Sequence, residues 1–138
     1  VVTGVQTCAL PIWENDQFRD LINQYYKDYC HNLENESYKT AIILSGVIVE
    51  ALLYQLLIDE GVDKNILKND NNLGLGKLIN YIRLLKLYKS LDISLNHIIE
   101  IQKNRNNAVH IGANIKNKRT FSKEDLTCFN QIIKYFGL

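Results

Sequence analysis

Apolar residues recur every three to four positions along most of the chain, and no stretch alternates between apolar and polar residues for long. The first pattern is typical of helices with one buried face, whereas the second would indicate strands. Breaks rich in Asn and Gly divide the periodic stretches into five predicted helices, at about 16–32, 36–60, 73–88, 90–110 and from 122 onward. The sequence therefore predicts an all-α fold.

Three of these helices carry a single apolar stripe, and their ends have the residues that helix ends prefer. Gly61 suits the left-handed position after the second helix, and Ser122 with Asp125 forms a capping-box pattern at the start of the last. The predicted stripes are Phe18, Leu21, Ile22, Tyr25, Tyr29 and Leu33 in the first helix, Leu75, Leu78, Ile79, Ile82 and Leu85 in the third, and Leu126, Phe129, Ile132, Ile133 and Phe136 in the last.

The second helix is apolar on nearly every side between Ala41 and Ile58, with Ser45, Glu50 and Gln55 as interruptions. Because of these polar interruptions, the helix is expected at the centre of the bundle rather than across a membrane. Glu50 is its anomaly, because a buried carboxylate is costly unless it is paired. Arg105, a tyrosine or a partner subunit could provide the pair.

The N-terminal segment from Val2 to Ile12 resembles the translation of a sequencing adapter, read in frame into the insert at about Trp13. It lacks the basic start and apolar centre of a signal peptide. We therefore expect residues 1–13 to be non-native and the true N-terminus to be missing. Residues 14–138 have the length of one domain and show no linker or repeat.

Composition narrows the range of functions. Sixteen Lys and Arg residues against fifteen Asp and Glu give a net charge of +1, so any contact with nucleic acid is expected to be local. Outside the N-terminal segment, Cys30 and Cys128 stand alone in helical patterns, without the spacing of metal ligands. They are expected to be reduced, buried thiols of a cytoplasmic protein, and the sequence predicts no metal site.

The candidate chemistry lies at the end of the fourth predicted helix, in Arg105-Asn106-Asn107-Ala108-Val109-His110. Asn106 and His110 are four residues apart and share a helix face, so their side chains can meet. Arg105 and His110 are about 140° apart around a regular helix and share a face only if the helix loosens there. Gly112 predicts that the helix ends nearby.

An arginine that holds phosphate beside a histidine that moves a proton is sufficient to cleave RNA without a metal or cofactor. His110, near the negative end of the helix dipole, would donate a proton to the departing 5′ oxygen or exchange between acid and base. Arg105 would stabilise the charge of the phosphorane, and Asn106 would orient the imidazole or hold an oxygen of the RNA. Lys116, Lys118 and Arg119 would hold the flanking backbone.

The same residues also have ordinary structural interpretations. A histidine at a helix C-terminus is often a simple cap, Arg105 could pair with Glu100, and a cluster such as 116–119 is usually a solvated loop. His31 and His97 have no acidic or thiol partner at a useful spacing and are expected at the surface.

The long apolar helix with Glu50, the Leu75-Gly-Lys-Leu-Ile79 segment and the Arg105-Asn106-Asn107-Ala108-Val109-His110 motif together resemble the HEPN superfamily. The resemblance covers about Phe18 to Phe136. The family's diagnostic motif is an arginine, commonly followed by a polar residue, with four to six residues before a histidine. Arg105, Asn106 and His110 match it with the minimum spacer.

The resemblance implies an antiparallel helical bundle that forms a homodimer, with two copies of the motif in one cleft. It further implies a metal-independent endoribonuclease of a prokaryotic toxin–antitoxin or abortive-infection system, paired with an antitoxin such as a nucleotidyltransferase-like protein. Two alternatives stay open. The domain could bind RNA, a nucleotide or a protein without cleaving, or it could be a structural dimerisation bundle in which Glu50 and Arg105 form a buried pair.

Overall fold

The computed structural model describes residues 19–110 and 120–137. Across these residues the chain is helical and contains no strand, which confirms the all-α prediction. The elements are α1 (Arg19–Glu34), α2 (Tyr38–Asp59), α3 (Lys64–Lys68), α4 (Leu75–Leu84), α5 (Leu87–Ser90), α6 (Leu95–Val109), a 3₁₀ turn (Lys123–Leu126) and α7 (Thr127–Tyr135). The segment assigned to an adapter, and also Phe18, Gly112, Lys116, Lys118 and Arg119, lie outside the described residues.

Two short helices were not predicted. The stretch predicted as one helix over 73–88 is divided into α4 and α5, because Lys86 adopts a left-handed backbone (φ 55°) that no α-helix can continue through. α3 lies in the stretch predicted as a polar loop. It begins at Asp63, whose side chain accepts a hydrogen bond from the Asn65 backbone N–H at 2.8 Å.

The remaining helix ends differ by a few residues from the prediction. Glu36 also has a left-handed backbone (φ 57°), so α2 begins at Tyr38 rather than at Glu36. α6 begins at Leu95, where the Ser94 hydroxyl accepts from the His97 N–H at 3.3 Å. Gly61 (φ 96°) takes the predicted left-handed position. The predicted capping box is confirmed, since the Ser122 N–H donates to Asp125 Oδ2 at 3.0 Å.

α2 lies at the centre of the bundle and packs against α1, α4, α6 and α7. Its Ile48, Val49, Leu52, Leu53 and Leu57 are fully buried. In the described part of the chain, α2 is also the one helix long and apolar enough to cross a membrane by length and composition. A central core helix passes the same test, and 56% of the tested stretch is buried within the bundle.

The predicted stripes are correct for most positions and wrong at two. Leu21 is 44% exposed because the buried row of α1 runs through Ile22, Tyr26 and Tyr29, one residue away around the helix. Leu85 is 49% exposed because α4 ends at Leu84, so the helical spacing no longer places it on the core. Tyr29 instead anchors α1, with its ring edge-on to Phe129 of α7 at 4.8 Å between centroids.

Candidate functional site

Arg105 does not project freely from α6 but lies against the backbone of α2. A Cβ atom placed on Gly46 would lie 2.6 Å from Arg105 Cδ and 2.8 Å from its Cγ, closer than carbon atoms can approach. The missing side chain at Gly46 therefore makes the space that the arginine stem occupies. The stem packs as a hydrophobic group, and its position is set by the contact between the two helices.

The polar end of Arg105 has no partner among residues 19–110 and 120–137. Its Nε atom is buried and has no acceptor, and no ion pair joins the guanidinium to a carboxylate in the described residues. A buried donor without an acceptor is rare in folded proteins, because it loses its bond to water and gains none in return. Asn23 and Gln55 also have a buried polar atom without a partner in the described residues, but Arg105 is the cation of the three. Its terminal nitrogens form no ion pair there, so they are candidates for binding a group from outside the chain.

Glu50 lies one turn after Gly46 on α2 and is not bonded to Arg105. A Cβ on Gly74 would lie 3.5 Å from Glu50 Oε1, so the carboxylate lies beside the start of α4. The first backbone N–H groups of a helix have no intrahelical acceptor and carry partial positive charge. This charge favours a carboxylate at that place in an otherwise apolar helix. Ser45 Oγ donates to Ile42 O and Gln55 Nε2 donates to Asp59 Oδ1, whereas Gln55 Oε1 is buried without a partner in the described residues.

A third close approach joins α4 to α6. A Cβ on Gly76 would lie 2.9 Å from Gln102 Nε2. We call the place where the three helices meet the glycine junction; it comprises Gly46 and Glu50 of α2, Gly74 and Gly76 of α4, and Gln102 and Arg105 of α6. Because Gly46 contacts Arg105 while Glu50 lies at the level of the earlier Gln102, α2 and α6 run antiparallel.

His110 and Asn106 lie apart from this junction. α6 stays regular to Val109, and His110 is the exposed residue that ends it, with an extended backbone (φ −90°, ψ 111°). The His110 N–H donates to the Asn106 carbonyl oxygen at 3.1 Å. The Asn106 side chain is partly exposed and forms no hydrogen bond in the described residues, so the meeting of the two side chains that the spacing allows is not observed.

The helix therefore does not loosen in the way that would bring Arg105 and His110 onto one face. Arg105 turns toward α2, whereas His110 lies beyond the last turn, and no hydrogen bond joins them. A single chain thus presents a held cation and an exposed imidazole as two separate groups. The three predicted RNA contacts at positions 116, 118 and 119 follow His110 and lie outside the described residues.

The other reactive residues offer less. No group of three or more His, Cys, Asp or Glu side chains that could hold a metal ion occurs in residues 19–110 and 120–137. Cys30 is buried as predicted, whereas Cys128 is partly exposed and not buried. Burial, with a further contribution from Glu100, raises the pKa of the Cys128 thiol. A thiol with a raised pKa is a poor nucleophile at neutral pH.

Sequence reasoning missed the glycine junction, although one signal was present. Glycine in a helix interior costs about 1 kcal/mol relative to alanine, so Gly46 in the middle of an apolar helix indicates a close approach. Gly74 and Gly76 fall at the start of the helix predicted over 73–88, and the structure agrees: Gly74 precedes α4 and Gly76 lies in its first turn. Their contacts with Glu50 and Gln102 are long-range and leave no pattern in the sequence.

Comparison of the chain with protein-family models, with curated proteins and with solved structures found no match. The functional argument therefore depends on the motif and on the geometry around it.

Proposed function

We propose that this protein is a HEPN-like, metal-independent endoribonuclease of a prokaryotic toxin–antitoxin or abortive-infection system, acting in the cytoplasm as a homodimer. The observation that supports it best is Arg105, whose stem is held against Gly46 and whose guanidinium forms no bond in the described residues. Arg105 lies five residues before the exposed His110. A fixed arginine with free donors is suited to phosphate, whose oxygens match its planar fork.

The proposed reaction uses the RNA's own nucleophile. The 2′ oxygen attacks the adjacent phosphorus and forms a bond to it, while the proton of the 2′-hydroxyl passes to a neutral His110 imidazole. The bond from phosphorus to the 5′ oxygen then breaks, and a protonated His110 donates a proton to that oxygen. The products carry a 2′,3′-cyclic phosphate and a 5′-hydroxyl.

A dimer would supply both protonation states and overcome the separation within one chain. Arg105 of one subunit would stabilise the phosphorane while His110 of the other moves the proton, and Asn106 would orient the imidazole or hold a ribose oxygen. Glu50, near the cleft, would support Arg105. Lys116, Lys118 and Arg119 would hold the RNA backbone, and a nucleotidyltransferase-like antitoxin is the expected protein partner.

The test is cleavage of labelled single-stranded RNA in excess chelator. The wild-type chain should release fragments with cyclic phosphate ends, and His110→Ala should lower the rate by at least about 100-fold, since it removes the proton transfer. Arg105→Ala should do the same because the phosphorane loses its cation. His97→Ala and Arg83→Ala, on α6 and α4 but outside the motif, are the matched controls and should cleave normally.

Equal cleavage by the wild type and by His110→Ala would reject this mechanism. Binding of RNA without any fragments, with affinity that falls as salt rises, would instead support the alternative of a non-catalytic module for RNA, a nucleotide or a protein. The separation of Arg105 from His110 within one chain is the observation that favours that alternative. The structural alternative expects a buried Glu50–Arg105 pair; the two residues form none within a single chain, so that alternative would need the pair to form between subunits.

A further inference from the structure

One side of the central helix is only partly covered by the described elements. Ile43, Val47, Glu50 and Tyr54 follow one another at intervals of four, three and four residues, which places them on one face of α2. All four are partly exposed, whereas the other sides of the helix are mostly buried. Val47 does not pack against the core cluster. We call these four residues the open face of α2.

The open face continues onto α6. Arg105 packs against Gly46, which lies between Ile43 and Glu50 on α2. Because the two helices run antiparallel, Val109, one turn after Arg105, lies toward Ile43, and it is 42% exposed. The combined surface therefore has apolar side chains at one end, and a carboxylate and a guanidinium near its middle.

The two charges are opposite, close in the fold and not bonded to each other. Neither Glu50 nor Arg105 forms an ion pair or a side-chain hydrogen bond in the described residues. A face that carries both signs beside apolar side chains is suited to a copy of itself. In a two-fold symmetric contact, Glu50 of each copy can meet Arg105 of the other copy. The two unpaired charges on each chain then form two ion pairs across the dimer.

We propose that the open face of α2, with Arg105 and Val109, is the interface with a second copy of this chain, in which Glu50 pairs with Arg105 of the partner subunit. This inference rests on the homodimer of the proposed function and specifies its surface. RNA in place of a second copy is a poor occupant of this face, since the unpaired Glu50 carboxylate would repel its phosphates, whereas in the dimer that charge is paired. The guanidinium has five N–H donors, so a carboxylate at one edge leaves others for a phosphate.

The decisive experiment is a charge exchange followed by sedimentation equilibrium of the full chain. The wild type should be a dimer. Glu50→Arg places two cations on the face and Arg105→Glu places two anions, so each variant alone should associate at least about 100-fold more weakly. An equimolar mixture of the two should form a heterodimer, because each intersubunit pair then again joins a cation to an anion, one pair with the native sign and the other with the sign reversed. Native mass spectrometry distinguishes that heterodimer from either homodimer.

Three further variants make the result specific. Glu34→Arg and Arg83→Glu reverse exposed charges elsewhere on the bundle and should remain dimeric. Val47→Glu should break the dimer without altering either charge, and its folding is checked by circular dichroism, since Val47 lies outside the core. Single reversals that remain dimeric, a mixture that fails to associate, or a monomeric wild type would each overturn the proposed interface.

Cleavage is measured on the same samples so that the two proposals fail separately. If charge reversal leaves the dimer unaffected and cleavage still requires His110, the proposed interface is rejected and the ribonuclease proposal is kept. If the mixture forms a heterodimer but the wild type does not cleave RNA, the proposed interface is kept and the ribonuclease proposal is rejected.

Discussion

Two neighbouring polar residues on α6 have opposite surroundings. Asn104 is 5% exposed and its Nδ2 donates to the Asp125 carbonyl oxygen at 3.2 Å, which ties α6 to the turn before α7. Arg105 turns toward α2 and leaves a buried Nε without an acceptor. Asn104 is thus satisfied across the contact with the turn before α7, whereas Arg105 Nε at the glycine junction is not. A polar group that the fold leaves unsatisfied is the better candidate for binding something else.

The largest stability effect is expected on the satisfied side. Asn104→Ala removes the donor to the Asp125 carbonyl and leaves a small cavity, so we expect the free energy of unfolding to fall by about 2 kcal/mol. Arg105→Met keeps the stem that packs on Gly46 and removes only the unpartnered guanidinium, so its loss should stay below about 0.5 kcal/mol. Urea unfolding of both variants measures the difference. A larger loss for Arg105→Met would reverse the comparison.

A smaller effect is expected at the close approach between α2 and α6. Alanine normally stabilises a helix interior by about 1 kcal/mol over glycine, but at Gly46 its Cβ would meet the Arg105 stem. We expect Gly46→Ala to destabilise the fold by about 1 kcal/mol net, because the arginine must move or the helices must separate.

Gly76→Ala is the matched control for this contact. The atom it would meet is the terminal Nε2 of Gln102, which can rotate away, so the variant should be neutral or slightly stabilising. Combining Gly46→Ala with Arg105→Ala should cost less than the sum of the two changes, because the double variant removes the clash. Additive losses in thermal or urea unfolding would show that the contact does not limit the packing.

These contacts also show why the sequence predicted the helices better than the site. α2 follows from its long apolar run, and α6 follows from the spacing of its apolar residues, so both helices can be predicted from the sequence alone. Asn104 could have been found in the same way, since Ile98, Ile101 and Ala108 place it in the buried row of α6. The break at Lys86 could not, because the residue type gives no sign of a left-handed backbone.

The site needed information that no local pattern carries. The motif identified Arg105 and His110 as candidates, but not that α6 would turn one toward α2 and leave the other beyond its last turn. Gly46 and Arg105 are distant in sequence and meet only because α2 and α6 pack antiparallel. Glu50 was recognised as an anomaly, but its position at the start of α4 depends on the same packing.

The smallest effect is expected at an exposed ion pair that borders the glycine junction. Lys77 lies in the first turn of α4, at the start of the helix beside which Glu50 lies. Its ammonium group already donates to Asp70. The hydrogen bond from Lys77, with a further one from the Asn72 N–H, lowers the pKa of Asp70 below its usual 3.8. A carboxyl group with a lowered pKa in the folded state stabilises the fold at neutral pH. That stabilisation begins to fall as the pH approaches 3.8 and is lost as it passes below the folded-state pKa.

Asp70→Asn should therefore reduce the free energy of unfolding at neutral pH by less than Asn104→Ala or Gly46→Ala does, since exposed ion pairs contribute little and are screened by salt. In acid below the lowered pKa of Asp70, the variant and the wild type should unfold at the same urea concentration. Because Asp70→Asn frees Lys77, it also tests whether this second cation can pair with Glu50 where Arg105 of the same chain does not. If Lys77 then moved to Glu50, dimerisation through the open face of α2 should weaken. Unchanged association would indicate that geometry leaves Glu50 and Arg105 without a partner in the isolated chain. The contrast between the two sides of α6 would then not depend on the Lys77–Asp70 ion pair.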